Sequence, residues 1–185
     1  MAKNRSSLAA EALNNILDSH DNFEDDIVSD EEGSGDSNTF LNDDLLTHDK
    51  IKSTLVGNLT ELKKGFSKVV LQTTQEMIVD NFGLIHNGFI FGSAEYAAVA
   101  SINEENVVVI GCRSKFFAPA KLGDVIEFEA RGRFEEARKR EIKVVGTINE
   151  IKVFEGVFQA ILLEKHILQT KISDLQNNFT SKNLS

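Results

Sequence analysis

Glu95 is the residue whose surroundings ask for a chemical explanation. It sits inside Asn87-Gly-Phe-Ile-Phe-Gly-Ser-Ala-Glu-Tyr-Ala-Ala-Val-Ala-Ser-Ile102, a run that is apolar nearly all round. A helix of that composition is buried on most sides. A carboxylate removed from water without partners is costly, and such groups are often functional. Glu95 is therefore either a working carboxylate, or a residue that reaches the rim or pairs with an arginine across an interface. Other chemistries find little support. His20, His48, His86 and His166 are scattered without metal-ligand spacing, and no Ser-His-Asp arrangement is present. Cys112 is the one cysteine and reads as a small strand residue, so no intramolecular disulfide can form. No metal and no cofactor is expected.

A single helix over 87–102 stays buried only if a sheet wraps it. Small residues on it (Gly92, Ala94, Ala97, Ala98 and Ala100) let strands approach closely. A strand is expected over 67–77, around Val69, Val70 and Leu71. Four more follow, over about 106–118, 124–136, 139–151 and 153–165. In 124–136, Ile126, Phe128, Ala130, Gly132 and Phe134 alternate with Glu127, Glu129, Arg131 and Arg133, period 2 with one wet face. Ile142, Val144, Gly146 and Ile148 alternate likewise. Val157 to Leu163 is apolar on both faces except at Gln159, which predicts a strand deep in the sheet. The order β-α-β-β-β-β with short links favours antiparallel neighbours, an α+β class.

The flanks differ in character. Residues 1–50 carry 13 acidic and 3 basic side chains, whereas 51–185 carry 16 and 17. Residues 1–44 read as an acidic, disordered leader, within which Leu8, Ala12, Leu13, Ile16 and Leu17 have the spacing of a short docking helix or of a transient one. An acidic leader repels nucleic acid and anionic membrane, so neither is an expected partner. Ile51, Leu55, Leu59 and Leu62 share one helical face, followed by Gly65 as a stop, so 45–65 is expected to be an amphipathic linker helix. The domain proper is expected over 66–168 and a polar tail over 169–185, where Leu168, Ile172, Leu175 and Phe179 again have helical spacing. No segment approaches the ~20 apolar residues of a membrane span, and with no signal-peptide pattern the expected location is cytoplasmic.

His86-Asn-Gly-Phe-Ile-Phe-Gly-Ser-Ala-Glu-Tyr-Ala-Ala98 resembles the H-G-G-x-x-x-x-x-x-[DE] helix start of hotdog-fold acyl-CoA thioesterases. Phe117-Ala-Pro-Ala-Lys-Leu-Gly-Asp124 is similar to the family's second signature, P-x-x-x-G-[DE] after an aromatic strand end. The resemblance covers about residues 66–165. The helix segment is particularly similar to the ligand domain of the malonyl-CoA-sensing repressor of fatty-acid synthesis, which binds without hydrolysing. Acidic leader and domain together look most like the flagella-co-regulated hotdog proteins of Campylobacter and Helicobacter. There are departures: Asn87 stands where the family has the first glycine, Glu95 where Asp is frequent, and Asp80 six residues before the histidine where some members have Asn, with Asn81 one place later.

The resemblance implies a hotdog fold, a five-stranded antiparallel sheet around one central helix. It implies a homodimer that binds an acyl thioester of CoA or acyl carrier protein, with hydrolysis or ligand sensing through a protein partner as the two outcomes. The amide of Gly88, with Asn87, would hold the thioester carbonyl at the positive end of the helix. Glu95 would be general base or nucleophile. It lies about 12 Å further along the axis at ~1.5 Å per residue, so a second subunit must supply one of the two parts, with 106–118 as the pairing edge. His86 would orient the helix start. Asn81, Phe89 and Phe91 would line the ligand, with Phe82 and Tyr96 as further candidates for the acyl slot or plain core. Of the cations, Arg113, Lys115 and Arg138 are the candidates for the phosphates of CoA.

Overall fold

The computed structural model describes residues 45–133 and 138–169. The leader with its docking helix, the loop 134–137 and the tail beyond residue 169 lie outside the described residues. One helical turn, α1 (Ser53–Val56), precedes β1 (Asn58–Lys63) and β2 (Phe66–Gln72). A 3-10 turn (Gln75–Met77) leads to the long helix α2 (Asn87–Ile102). Then come β3 (Val107–Phe116), β4 (Val125–Arg133), β5 (Lys139–Ile148), β6 (Ile151–Leu162) and a 3-10 turn at Ile167–Gln169. All six strands join one sheet in the order β1-β2-β4-β5-β6-β3, every neighbour antiparallel. This is the hotdog arrangement expected from the motifs, with one strand more than the five expected.

The alternating patterns place the core. Ile126, Phe128 and Ala130 on β4, Ile142 and Val144 on β5, and Phe154, Phe158 and Ala160 on β6 are all buried. Against them lies α2, whose Ile90, Ala94, Ala97, Ala98, Val99 and Ala100 are buried in turn. The small residues do what their size allows: the Ser67 hydroxyl on β2 donates to the Ala97 carbonyl at 2.7 Å. On the sheet, a Cβ at Gly146 would lie 2.8 Å from the Phe128 ring, so this glycine is a notch that receives it. As expected, β6 lies between two strands, while β3 forms an edge.

The sixth strand corrects the reading of 45–65. No linker helix forms there beyond the one turn of α1, and the domain's sheet begins at Asn58 rather than at 66. Gly57, at φ 86°, ends the turn. Strand β1 carries a bulge between Leu59 and Glu61, so Leu59 pairs with Val69 and Leu62 with Ser67, both inward-facing. An extra residue in one strand puts positions i and i+3 on the same face. That spacing imitates a helix. Gly65, at φ 79°, turns the β1–β2 hairpin rather than stopping a helix. The strand expected over 67–77 ends at Gln72 and gives way to the 3-10 turn.

Candidate active site at the start of the long helix

The two sequence motifs meet in space. The Ile85 amide donates to the Ala120 carbonyl at 2.9 Å and the Leu122 amide to the Gly83 carbonyl at 2.8 Å. The turn 121–124 is closed by the Asp124 carboxylate, which accepts from the Lys121 amide at 2.9 Å. Asp80 does the same for the preceding loop, accepting from the amides of Phe82 and Leu84 at 2.9 and 3.1 Å. The acid in that slot thus shapes the loop, and Asn81 is left exposed beside Phe82, which is 96% exposed.

His86 caps α2, as its expected orienting role requires: its Nδ1 accepts from the Gly88 amide at 2.8 Å. An accepting Nδ1 carries no proton, so the neutral ring holds its hydrogen on Nε2. Gly88 is needed for this contact, because a Cβ there would lie 2.7 Å from Nδ1. The cap corrects one expectation. The Gly88 N–H is spent on His86, so the donors left at the positive helix end are the Asn87 amide, which has no partner among the described residues, and the outer N–H of His86. The Phe89 ring meets the His86 ring edge-on at 6.3 Å. Phe91 instead packs on Phe158 at 5.5 Å and belongs to the core between helix and sheet.

The cations do not converge on this point. Arg113 and Lys115 pair with Val157 and Glu155 on β6, whose neighbours Gly156 and Phe158 face the helix. Alternation therefore puts both cations on the opposite face of the sheet. Arg138 is ion-paired with Glu164 at the far end of β5.

Glu95 lies half-buried on α2, eight residues beyond Asn87. No lysine or arginine among the described residues of the same chain comes within ion-pair distance of it. Burial pushes its carboxyl above the ordinary glutamate value, opposed by the charge of His48. Sequence reasoning passed over His48, which lies 47 positions away with no spacing to connect the two. The thiol of Cys112 is pushed up by partial burial, the opposite of a reactive cysteine. Among the described residues no group of three His, Cys, Asp or Glu side chains could hold a metal ion, and no helix is long and apolar enough to cross a membrane.

Residues 82–148 match the family model described as "Thioesterase superfamily". The chain is 46% identical to Cj0977, a sigma28-regulated virulence protein from Campylobacter jejuni, over 69% of this chain and 90% of that one, with a TM-score of 0.67. An HP0420 homologue from Helicobacter felis is 27% identical over 71% and 95% of the two chains, with a TM-score of 0.64. Curated relatives match over part of their length. The chain covers 65% of itself but 26% of a methylthioribose-1-phosphate isomerase from Aquifex aeolicus, at 38% identity. It covers 66% of itself and 64% of the transcription factor FapR from Caldanaerobacter subterraneus, at 26% identity.

Proposed function

Because the chain belongs to the thioesterase superfamily, we propose that it is a homodimeric acyl-CoA-binding protein that hydrolyses the bound thioester. The thioester carbonyl is held at the start of α2 by the Asn87 amide and the outer N–H of His86. Glu95 of the second subunit takes a proton from water, and the hydroxide adds to the carbonyl carbon. Collapse of the adduct breaks the C–S bond, and the proton passes to the departing thiolate. The observation that carries this reading is a half-buried carboxylate without a lysine or arginine partner among the described residues, its proton affinity raised by burial. A base tuned upward in this way works closer to neutral pH. The experiment is turnover of a panel of acyl-CoAs by the purified protein, with binding measured on the same preparations.

A second reading, binding without hydrolysis, is favoured by the Gly88 amide. Its engagement by His86 removes one of the donors that could stabilise an oxyanion. Binding of the panel with no turnover would select a sensor that acts through a protein partner.

Two expected results follow. In solution the protein is a dimer at micromolar concentration by light scattering, because Glu95 lies ~12 Å from its own helix start. A monomer that binds and turns over acyl-CoA would remove the shared site. In Gly88→Ala the new Cβ displaces the His86 ring. Loss of the cap costs about 1 kcal/mol of stability, and acyl-CoA binding measured by calorimetry weakens roughly tenfold, ~1.4 kcal/mol.

A further inference from the structure

The segment before β1 crosses the long helix like a strap. Its first anchor is the Leu46 amide, which donates to the Asn103 side chain at the helix C-cap at 2.8 Å. Its last is Val56, buried, with Cγ1 4.0 Å from where a Cβ of Gly92 would stand. Between these anchors the strap, β1 and α2 form the walls of a cavity of about 260 Å³. Leu45, Ile51 and Leu59 supply its apolar sides, and Tyr96 is the helix residue in its wall.

Tyr96 is 6% exposed, yet its hydroxyl has no hydrogen-bond partner among the described residues. Buried polar groups are nearly always paired, because an unpaired one bears the full cost of its desolvation. Burial pushes the phenol above the ordinary tyrosine value, so the hydroxyl is neutral and can both donate and accept. The same wall holds His48 at φ 55°, in the left-handed region that side chains other than Asn, Asp and Gly seldom occupy. The Ile51 amide pins it there, donating to the His48 carbonyl at 3.1 Å. Backbone strain of this kind recurs at ligand clamps. Charge narrows the choice of ligand. No lysine or arginine among the described residues lines the cavity, and the one carboxylate that does, Asp49, is already matched to Lys50 at 2.7 Å. A charged guest of either sign would leave water without a free counter-charge to meet it.

We propose that this cavity is a binding site for a small uncharged molecule with an apolar body and one hydroxyl or carbonyl oxygen. The oxygen meets the Tyr96 hydroxyl, and the body lies against Leu45, Ile51 and Leu59. At about 260 Å³ the space is below the ~300–1,000 Å³ of pockets that take drug-sized ligands, so a single-ring or short-chain molecule fits and a whole acyl-CoA does not. The site is separate from the start of its own helix. Tyr96 lies nine residues beyond Asn87, roughly 13 Å along the axis at ~1.5 Å per residue, and points about 100° around the helix from Glu95. A ligand seated there touches strap and helix at once, and so stabilises the strapped form by mass action. It does so whether or not the thioester is hydrolysed.

The test uses the full-length protein and four ring compounds of similar shape and different charge: benzyl alcohol, benzamide, benzoate and benzylamine. Binding is followed by methyl NMR at Leu45, Ile51 and Leu59. Benzyl alcohol and benzamide are expected to shift those methyls saturably, with benzoate and benzylamine ~10-fold weaker or more. Tyr96→Phe is expected to weaken both uncharged probes roughly 3- to 10-fold, the worth of one neutral hydrogen bond. The same variant, free of ligand, is expected to keep the urea midpoint of wild type, because the hydroxyl it loses is unpaired. Ser53 is exposed and lines the cavity, so Ser53→Phe is expected to block the shifts in a folded chain. No shift with either uncharged probe, benzoate binding as tightly as benzamide, or Tyr96→Phe binding like wild type would overturn the proposal. A lowered urea midpoint in ligand-free Tyr96→Phe would do the same, by showing that the hydroxyl already serves the fold.

Discussion

Glu95→Gln is expected to lower acyl-CoA turnover by ~10²-fold or more, the scale of general-base catalysis, while acyl-CoA still binds. The amide keeps the size and polarity of the carboxylate and loses its basicity. Stability should move the other way. Burial raises the carboxyl of Glu95 in the folded chain above its unfolded value. A group shifted in that direction supports the fold while protonated in both states, and the support is lost as pH rises through the folded value. Wild type and Glu95→Gln should therefore be equally sensitive to urea in acid, and the variant should become the more stable of the two as pH rises towards neutrality and above. Turnover equal to wild type, measured beside an unchanged affinity, would take Glu95 out of the mechanism.

Gly57→Ala should give the largest loss of stability from a single methyl group. Gly57 has φ 86° and ψ 178°, a region reserved almost entirely for glycine. A Cβ there would stand 2.5 Å from the Val70 carbonyl oxygen. That oxygen cannot retreat, because Val70 is paired with Asn58 on one side and with Glu127 on the other. Backbone strain and overpacking together should cost about 2–4 kcal/mol. Urea unfolding should show a lower midpoint with an unchanged slope. A midpoint within error of wild type would contradict the placement of β1 on β2.

The long helix was legible to its end residues, because a run apolar on every side admits one environment and Asn103 at φ 53° stops it. Strands β4 and β5 were legible from alternation, which is a local property. Strand β1 was not, because its bulge converts a strand's period into something a helix also shows. The outward direction of Arg113 and Lys115 was within reach of the same alternation, had it been counted from Phe158 across the pair. The engagement of the Gly88 amide followed from an orienting role for His86 once the acceptor atom was specified. The hydrogen bond from Leu46 to Asn103 was out of reach, since it is closed over 57 positions.

The two borders of the sheet are unequal. At one, β1 is six residues long, interrupted by its bulge, ending in Lys63 and followed by Lys64; bulges and lysines are what native sheets use to discourage the addition of a further strand. At the other, β3 offers ten residues, with a register shift of its own between Val109 and Gly111 and, among the described residues, only β6 beside it. The longer border is the one that offers more backbone for strand addition. Two copies joined through β3 about a two-fold axis consume both open borders and present only blunted ones outward, so such an assembly terminates at two chains instead of running on into a fibre. The same inequality sets a hazard: in a chain whose β3 is left uncovered, the longer border is the site from which aggregation by strand addition should start.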